Sequence, residues 1–126
     1  MKTKISLSII GAYNTIVSIV MMFFASDLVG TIVNSDNADV IRMCEVMHYG
    51  LSPAILIIGL TLILCRNAAI ETAKNILLAY IIGTLVLMYV FICIMGSEDL
   101  MNFSFATIIP DVAMLLLAIF GYFKAK

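Results

Sequence analysis

The residues of this chain that could do chemistry lie within or beside long apolar segments. Glu45, His48 and Ser52 follow one another at spacings of three and four residues, so a helix would place all three on one face. Asp111 lies inside the last apolar segment, where a charged side chain facing lipid costs about 2.5 to 3.5 kcal/mol on insertion scales. We therefore expect Asp111 to face protein, water or a ligand.

Polar groups lie at a similar depth in the first and third apolar segments, and another lies beside Asp111 in the last. Asn14 lies at the middle of the first segment and Tyr89 in the outer half of the third, while Thr107 precedes Asp111 by one helical turn. If these faces converge, they form an outward-facing polar pocket floored by Asn14 and Asp111. The candidate ligand-binding residues are therefore Asp111, His48, Glu45, Asn14, Ser52, Tyr89 and Thr107.

Each candidate also has a purely structural interpretation. Glu45 can form an interfacial ion pair with Arg42, one turn away, and His48 can lie among lipid headgroups. Asn14 can join two helices by a hydrogen bond. Asp111, if protonated, can donate to a neighbouring carbonyl, and Pro110 frees such an acceptor one turn earlier.

Two kinds of catalytic chemistry fit parts of this set. Glu45-x-x-His48 has the helical spacing of carboxylate metal sites in bundles, but those sites need two such motifs and the chain has one. We therefore expect no metal site and no other cofactor. A histidine and a carboxylate in a dry pocket could instead transfer protons, with His48 as base and Asp111 or Glu45 as its partner. The sequence shows no nucleophile motif or phosphate-binding loop. Binding is favoured over catalysis because the loops are too short to cover a reaction site, whereas a crevice in the bundle suffices for a ligand.

Composition and charge predict the elements that hold these residues. The 126 residues are 63% hydrophobic and 12% charged, with a mean hydropathy of +1.16, so the bilayer is the expected solvent. Six of the seven basic residues fall in alternate gaps between four apolar segments: Lys2, Lys4, Arg66, Lys74, Lys124 and Lys126. Because short Lys/Arg-rich segments stay in the cytoplasm, both termini are predicted to lie inside.

The resulting prediction is an all-α, polytopic membrane protein with four transmembrane helices in an antiparallel bundle. It forms a single domain, 1–126, with spans at about 5–26, 46–65, 75–96 and 102–123. We expect it in the plasma (inner) membrane with cytoplasmic termini. A net charge of −1 argues against a nucleic-acid partner.

Local signals refine these elements. Ser35-Asp36-Asn37 is typical of a helix start, and Pro53 and Pro110 predict kinks. The first segment is too long for a signal-peptide core and lacks a small-residue cleavage pattern, so we expect it to be retained as a span. Small residues four apart, Ser8/Ala12, Gly50/Ala54 and Ala79/Gly83, are candidate helix contacts.

The three cysteines show no Cys-x-x-Cys pair, and we expect buried thiols. A disulfide between Cys44 and Cys93 remains an alternative, since both lie near outer helix ends.

The order of several stretches resembles the small DoxX-like four-helix membrane proteins. These stretches are Ile10-Gly11-Ala12-Tyr13, an outer amphipathic loop, Val40-Ile41-Arg42 before Gly50, and Gly59 to Arg66 at the end of the second span. The resemblance implies a four-helix membrane bundle and no established reaction.

The sequence thus favours a small integral membrane protein that binds an amphipathic ligand or a partner membrane subunit through the outer-half pocket. The alternatives are a membrane enzyme or isomerase acting on a lipid-like substrate and an accessory subunit of a larger complex. The expected partners are the lipid bilayer, a small amphipathic ligand, and a membrane protein or a second copy of the chain.

Overall fold

The computed structural model describes residues 2–102 and 104–124, and over these residues it is helical with no strand. The five helices are α1 (Lys2–Phe23), α2 (Ala25–Ile32), α3 (Ala38–Leu64), α4 (Ile70–Tyr89) and α5 (Phe105–Phe123). Short 3₁₀ segments follow α3 at Cys65–Asn67 and lie at Met95–Ser97, and a π-helical turn, Val90–Ile94, extends α4. Lys126 and the side chain of Lys2, both used in the orientation argument, lie outside the described residues.

Four helical stretches are long and apolar enough to cross a membrane. They run Thr3–Phe23, Ala38–Asn67, Ile70–Ser97 and Phe105–Phe123, with mean hydropathies between 1.8 and 2.6. This confirms the prediction of an all-α chain with four apolar spans.

The helix boundaries follow local signals in one place and depart from the prediction in another. The Asn37 side chain accepts a hydrogen bond from the Asp39 N–H and caps α3, which confirms the predicted helix start. The first span ends earlier than predicted because the backbone leaves helical geometry at Phe24, with φ −117° and ψ 27°. The separate helix α2 follows, anchored by buried Ala25 and Val29.

Helix α1 is the centre of the packing. It packs most extensively against α3 and also against α5, while α4 packs mainly against α5. Over the described residues, α3 makes little contact with α4 or α5. The core cluster is formed by side chains from all four long helices: Leu7, Ile10, Leu62, Ala73, Leu77 and Ala118.

The closest approach of two helices occurs where Gly11 of α1 crosses Gly59 of α3. A Cβ placed on Gly59 would lie 2.7 Å from the Thr15 backbone nitrogen and 2.9 Å from the Gly11 carbonyl oxygen. Glycine is therefore required here because any side chain would meet backbone atoms, which cannot rotate away.

Two of the three small-residue pairs predicted from spacing, Gly50/Ala54 and Ala79/Gly83, do not make helix contacts. Gly50 and Gly83 have no neighbouring atom within 4 Å of an added Cβ, and Ala54 and Ala79 are exposed. The prediction for these two pairs is wrong, because spacing places small residues on one face without showing which face meets another helix.

Different contacts join neighbouring segments at each end of the bundle. At the terminal end, the Thr3 hydroxyl near the start of α1 donates to the Gly121 carbonyl near the end of α5 at 3.1 Å. At the loop end, Val33 and Met101 form an isolated antiparallel bridge. The Asn34 N–H donates to the Leu100 carbonyl at 2.8 Å, so the connection after α2 is fixed to the connection before α5.

Candidate functional site

Asp111 lies against α1 rather than pointing away from the protein. Its Oδ1 atom accepts a hydrogen bond from the Tyr13 hydroxyl at 3.0 Å, and both groups are partly buried. This contact agrees with the expectation that an acid inside an apolar span faces protein, since the bilayer offers it no partner. Pro110 lies immediately before Asp111 within α5.

Asn14, the next residue along α1, connects to α4. Its Nδ2 group donates to the Ile10 carbonyl at 2.8 Å and to the Tyr80 hydroxyl at 3.3 Å. The Tyr80 carbonyl in turn accepts from the Thr84 hydroxyl at 2.8 Å. Asn14 therefore makes the interhelical hydrogen bond that its structural interpretation predicted.

These contacts form one group, which we name the midspan cluster: Tyr13, Asn14, Tyr80 and Asp111. Tyr13 joins Asp111, and its neighbour Asn14 joins Tyr80, through the hydrogen bonds described above. The cluster takes residues from α1, α4 and α5, so its geometry depends on the packing of all three helices.

The cluster keeps hydrogen-bonding capacity that the protein does not use. Among the described residues, no donor contacts the second carboxylate oxygen of Asp111 or the side-chain carbonyl oxygen of Asn14. Neither atom is sealed in the interior. Both atoms are acceptors, so the cluster can receive a ligand that offers N–H or O–H groups.

The polar face of α3 is largely satisfied by its own helix. Arg42 and Glu45 form an ion pair with Nη1 and Oε2 2.7 Å apart. The His48 Nδ1 atom lies 2.9 Å from the Cys44 carbonyl, and a carbonyl only accepts, so Nδ1 carries the proton and a neutral ring keeps Nε2 as an acceptor. Glu45 thus forms the ion pair with Arg42 that its structural interpretation gave it.

Ser52 links this face of α3 to α1. Its hydroxyl donates to the His48 carbonyl at 2.6 Å, and its own carbonyl accepts from the Ser18 hydroxyl at 2.7 Å. Both serines are fully buried. Ser18 therefore faces α3, whereas the side chains of Tyr13 and Asn14 reach α5 and α4.

The structure thus brings Asp111 and Asn14 into one cluster and places Glu45, His48 and Ser52 on α3, against another face of α1. No hydrogen bond between side chains of the described residues joins the two groups. Tyr89 is 61% exposed and Thr107 is exposed, and neither side chain has a hydrogen-bond partner in the described part of the chain. The ligand-binding role of all seven residues stays a prediction.

Tyr13 and Tyr80 belong to the site but were not among the predicted residues. A tyrosine in an apolar span is usually interpreted as a packing residue, because it has a large apolar ring and only one hydroxyl group. The available signal was the position of Tyr13 directly before Asn14, at the depth of Asp111.

The cysteines and acids do not assemble into a further centre. Cys44, Cys65 and Cys93 are free, so the alternative disulfide between Cys44 and Cys93 is not formed. Across residues 2–102 and 104–124, no three His, Cys, Asp or Glu side chains gather closely enough to hold a metal ion.

Comparisons with known proteins add no relative to this picture. No protein-family model matches the chain, and neither the curated proteins nor the solved structures contain a significant match.

Proposed function

We propose that this chain is a multi-pass protein of the plasma (inner) membrane that binds a small amphipathic ligand at the midspan cluster without converting it. In this proposal the four spans are antiparallel and both termini are cytoplasmic. The four apolar helices support membrane insertion, and the basic residues in alternate connecting segments support the orientation.

The observation that carries the proposal is the half-satisfied carboxylate of Asp111. Its one hydrogen bond, from Tyr13, leaves the other oxygen accessible within an apolar span. A group that costs several kcal/mol to insert and is then left with an open acceptor is better suited to a ligand than to packing. The matching ligand carries an amine or hydroxyl head and an apolar tail.

The packing of α3 supports access for such a ligand. Because α3 makes little contact with α4 or α5 over the described residues, an apolar tail can enter between these helices from the surrounding lipid. The outer-half location of the pocket remains part of the proposal.

The enzyme alternative needs His48 and Asp111 to face the same substrate. Their side chains contact different partners, Cys44 on α3 and Tyr13 on α1. The accessory-subunit alternative predicts that a partner protein, not a small ligand, satisfies Asp111.

Binding of a fluorescent long-chain primary amine tests the proposal, using the whole chain in lipid nanodiscs. A hydrogen bond to a charged group contributes about 1.5 to 3 kcal/mol, so Asp111→Asn should weaken binding at least about tenfold. The matched control Asp99→Asn removes an exposed acid at the loop end and should leave binding unchanged.

Two results would contradict the proposal. One is equal amine binding by the wild type and Asp111→Asn. The other is loss of a co-purifying membrane subunit in Asp111→Asn without any change in amine binding, which would favour the accessory-subunit function.

A further inference from the structure

A cleft of about 340 Å³ lies at the terminal end of the bundle, away from the midspan cluster. It is bordered by the start of α1, the 3₁₀ segment after α3 and the start of α4. The residues that matter here are Thr3, Lys4, Arg66, Asn67 and Ile70. Three separate stretches of the chain thus meet around one opening.

Positive charge lines this cleft from two sides. Lys4 and Arg66 both border it, and both are exposed. Neither forms an ion pair with another described residue. The ion pair found among the described residues joins Arg42 and Glu45. Two cations that face one opening without a carboxylate partner leave a charge that an anion can balance.

The surroundings of the cleft are also basic. Lys74, one turn into α4, lies 5.2 Å from the centre of the Tyr122 ring, and Lys124 is exposed after the end of α5. Among the residues that the structure describes, the acidic side chain at this end is Glu71, which is exposed and does not line the cleft. The field at this end therefore favours anions.

The remaining lining groups suit a phosphate attached to an acyl chain. The Asn67 amide can donate, and the first N–H groups of α4 are not capped by a side chain, which adds donors at the rim. Ile70 lines the same cleft and is 50% exposed, so apolar surface lies directly beside the cations. The spans Thr3–Phe23 and Ile70–Ser97 begin here, which places the opening where a spanning helix meets the headgroups.

We propose that this terminal cleft binds the phosphate headgroup of an anionic phospholipid, with Lys4 and Arg66 as the charged contacts. Basic pockets between membrane-spanning helices are suited to such headgroups because the phosphate is neutralised while its acyl chains stay in the bilayer. This site is separate from the midspan cluster, so it holds or fails independently of the proposed ligand-binding function.

Native mass spectrometry of the whole chain tests the site, after release from nanodiscs that contain equal amounts of phosphatidylglycerol and phosphatidylcholine. The wild type should retain phosphatidylglycerol in preference. Each cation near the membrane surface contributes about fivefold, so Lys4→Gln with Arg66→Gln should reduce that preference by about 30-fold. The matched control Lys124→Gln removes one exposed cation at the same end, outside the cleft, and should reduce the preference by about fivefold at most.

A second pair of variants separates charge from folding. The charge-preserving Lys4→Arg with Arg66→Lys should keep the preference for phosphatidylglycerol, and raised salt should reduce it in the wild type. An equal loss of the phosphatidylglycerol preference in the charge-preserving variant would overturn the proposal. It would also be overturned if the wild type retained phosphatidylglycerol and phosphatidylcholine equally.

Inorganic phosphate distinguishes a lipid from a soluble ligand. In nanodiscs of phosphatidylcholine alone, millimolar inorganic phosphate should not raise the thermal stability of the wild type, whereas added phosphatidylglycerol should raise it. Stabilisation by inorganic phosphate to the same extent would assign the cleft to a soluble phosphate compound and overturn the lipid assignment.

Discussion

Replacing Gly59 with alanine tests the crossing of α1 and α3. The added Cβ would lie 2.7 Å from the Thr15 nitrogen and 2.9 Å from the Gly11 oxygen, whereas ordinary contact begins at 3.4 Å. The helices must therefore separate by about 0.5 to 0.7 Å. The separation also weakens the buried hydrogen bond from Ser18 to the Ser52 carbonyl, now 2.7 Å.

We expect Gly59→Ala to lower the free energy of unfolding by about 3 kcal/mol. This value is at the upper end for overpacking because both obstructing atoms belong to the backbone. Gly83→Ala is the matched control, since Gly83 also lies within a helix and has no neighbour within 4 Å of an added Cβ. Both variants gain similar helix propensity from the loss of glycine. The difference between them therefore isolates the steric term.

Unfolding by sodium dodecyl sulfate in mixed micelles, followed by the circular dichroism of the helices, measures this difference. We expect Gly59→Ala to unfold at a lower detergent fraction than Gly83→Ala, with free energies about 3 kcal/mol apart. A difference below about 1 kcal/mol would refute the close crossing, because an alanine would then fit between the two helices.

Three further predictions concern hydrogen bonds. A double-mutant cycle of Tyr13→Phe and Asp111→Ala should give a coupling free energy between about 0.6 and 1.7 kcal/mol in the same unfolding assay, and additive effects would place the side chains apart. Ser18→Ala should destabilise the protein by about 1 kcal/mol because the Ser52 carbonyl loses its donor across the α1–α3 contact; unchanged unfolding would contradict that contact. Asn37→Ala should raise amide hydrogen exchange in the first turn of α3, for an expected loss of about 1 kcal/mol, and unaltered exchange would show that Asn37 does not cap the helix.

The sequence predicted the elements that the bilayer itself dictates. A span needs about 20 apolar residues in succession, so its presence can be recognised without knowing its neighbours. The cap at Asn37 was likewise local, because a side-chain oxygen and a free N–H two residues later suffice. Asp111 was predicted to face protein, water or a ligand because lipid offers no partner to a carboxylate, and the structure places it against Tyr13.

The partners of these elements depend on which helix faces which, and the sequence pattern does not contain that information. Gly59 lies in the stretch that was predicted to end the second span. Its contact with Gly11, however, exists only because α1 and α3 cross at this point. Helix α2 was missed because neither glycine nor proline marks the break at Phe24. The bridge between Val33 and Met101 joins two distant connections and carries no local signal.

The site shows the same division between local and long-range information. Asp111 and Asn14 were expected at one depth, and both belong to the midspan cluster. The tyrosines that contact them were not, since Tyr13 and Tyr80 are recognised as partners only once α5 and α4 are placed against α1. The likeness to DoxX-like proteins stays a prediction.

Observing the surroundings of Asp111 in a lipid bilayer would test the proposed ligand binding most directly. A density map of the whole chain in nanodiscs, prepared with the long-chain amine, would show them. We predict that the carboxylate faces Tyr13 and that non-protein density lies at its second oxygen. The proposed binding at the midspan cluster would be contradicted if the carboxylate pointed at acyl chains. It would also be contradicted if density for the amine lay only elsewhere on the protein.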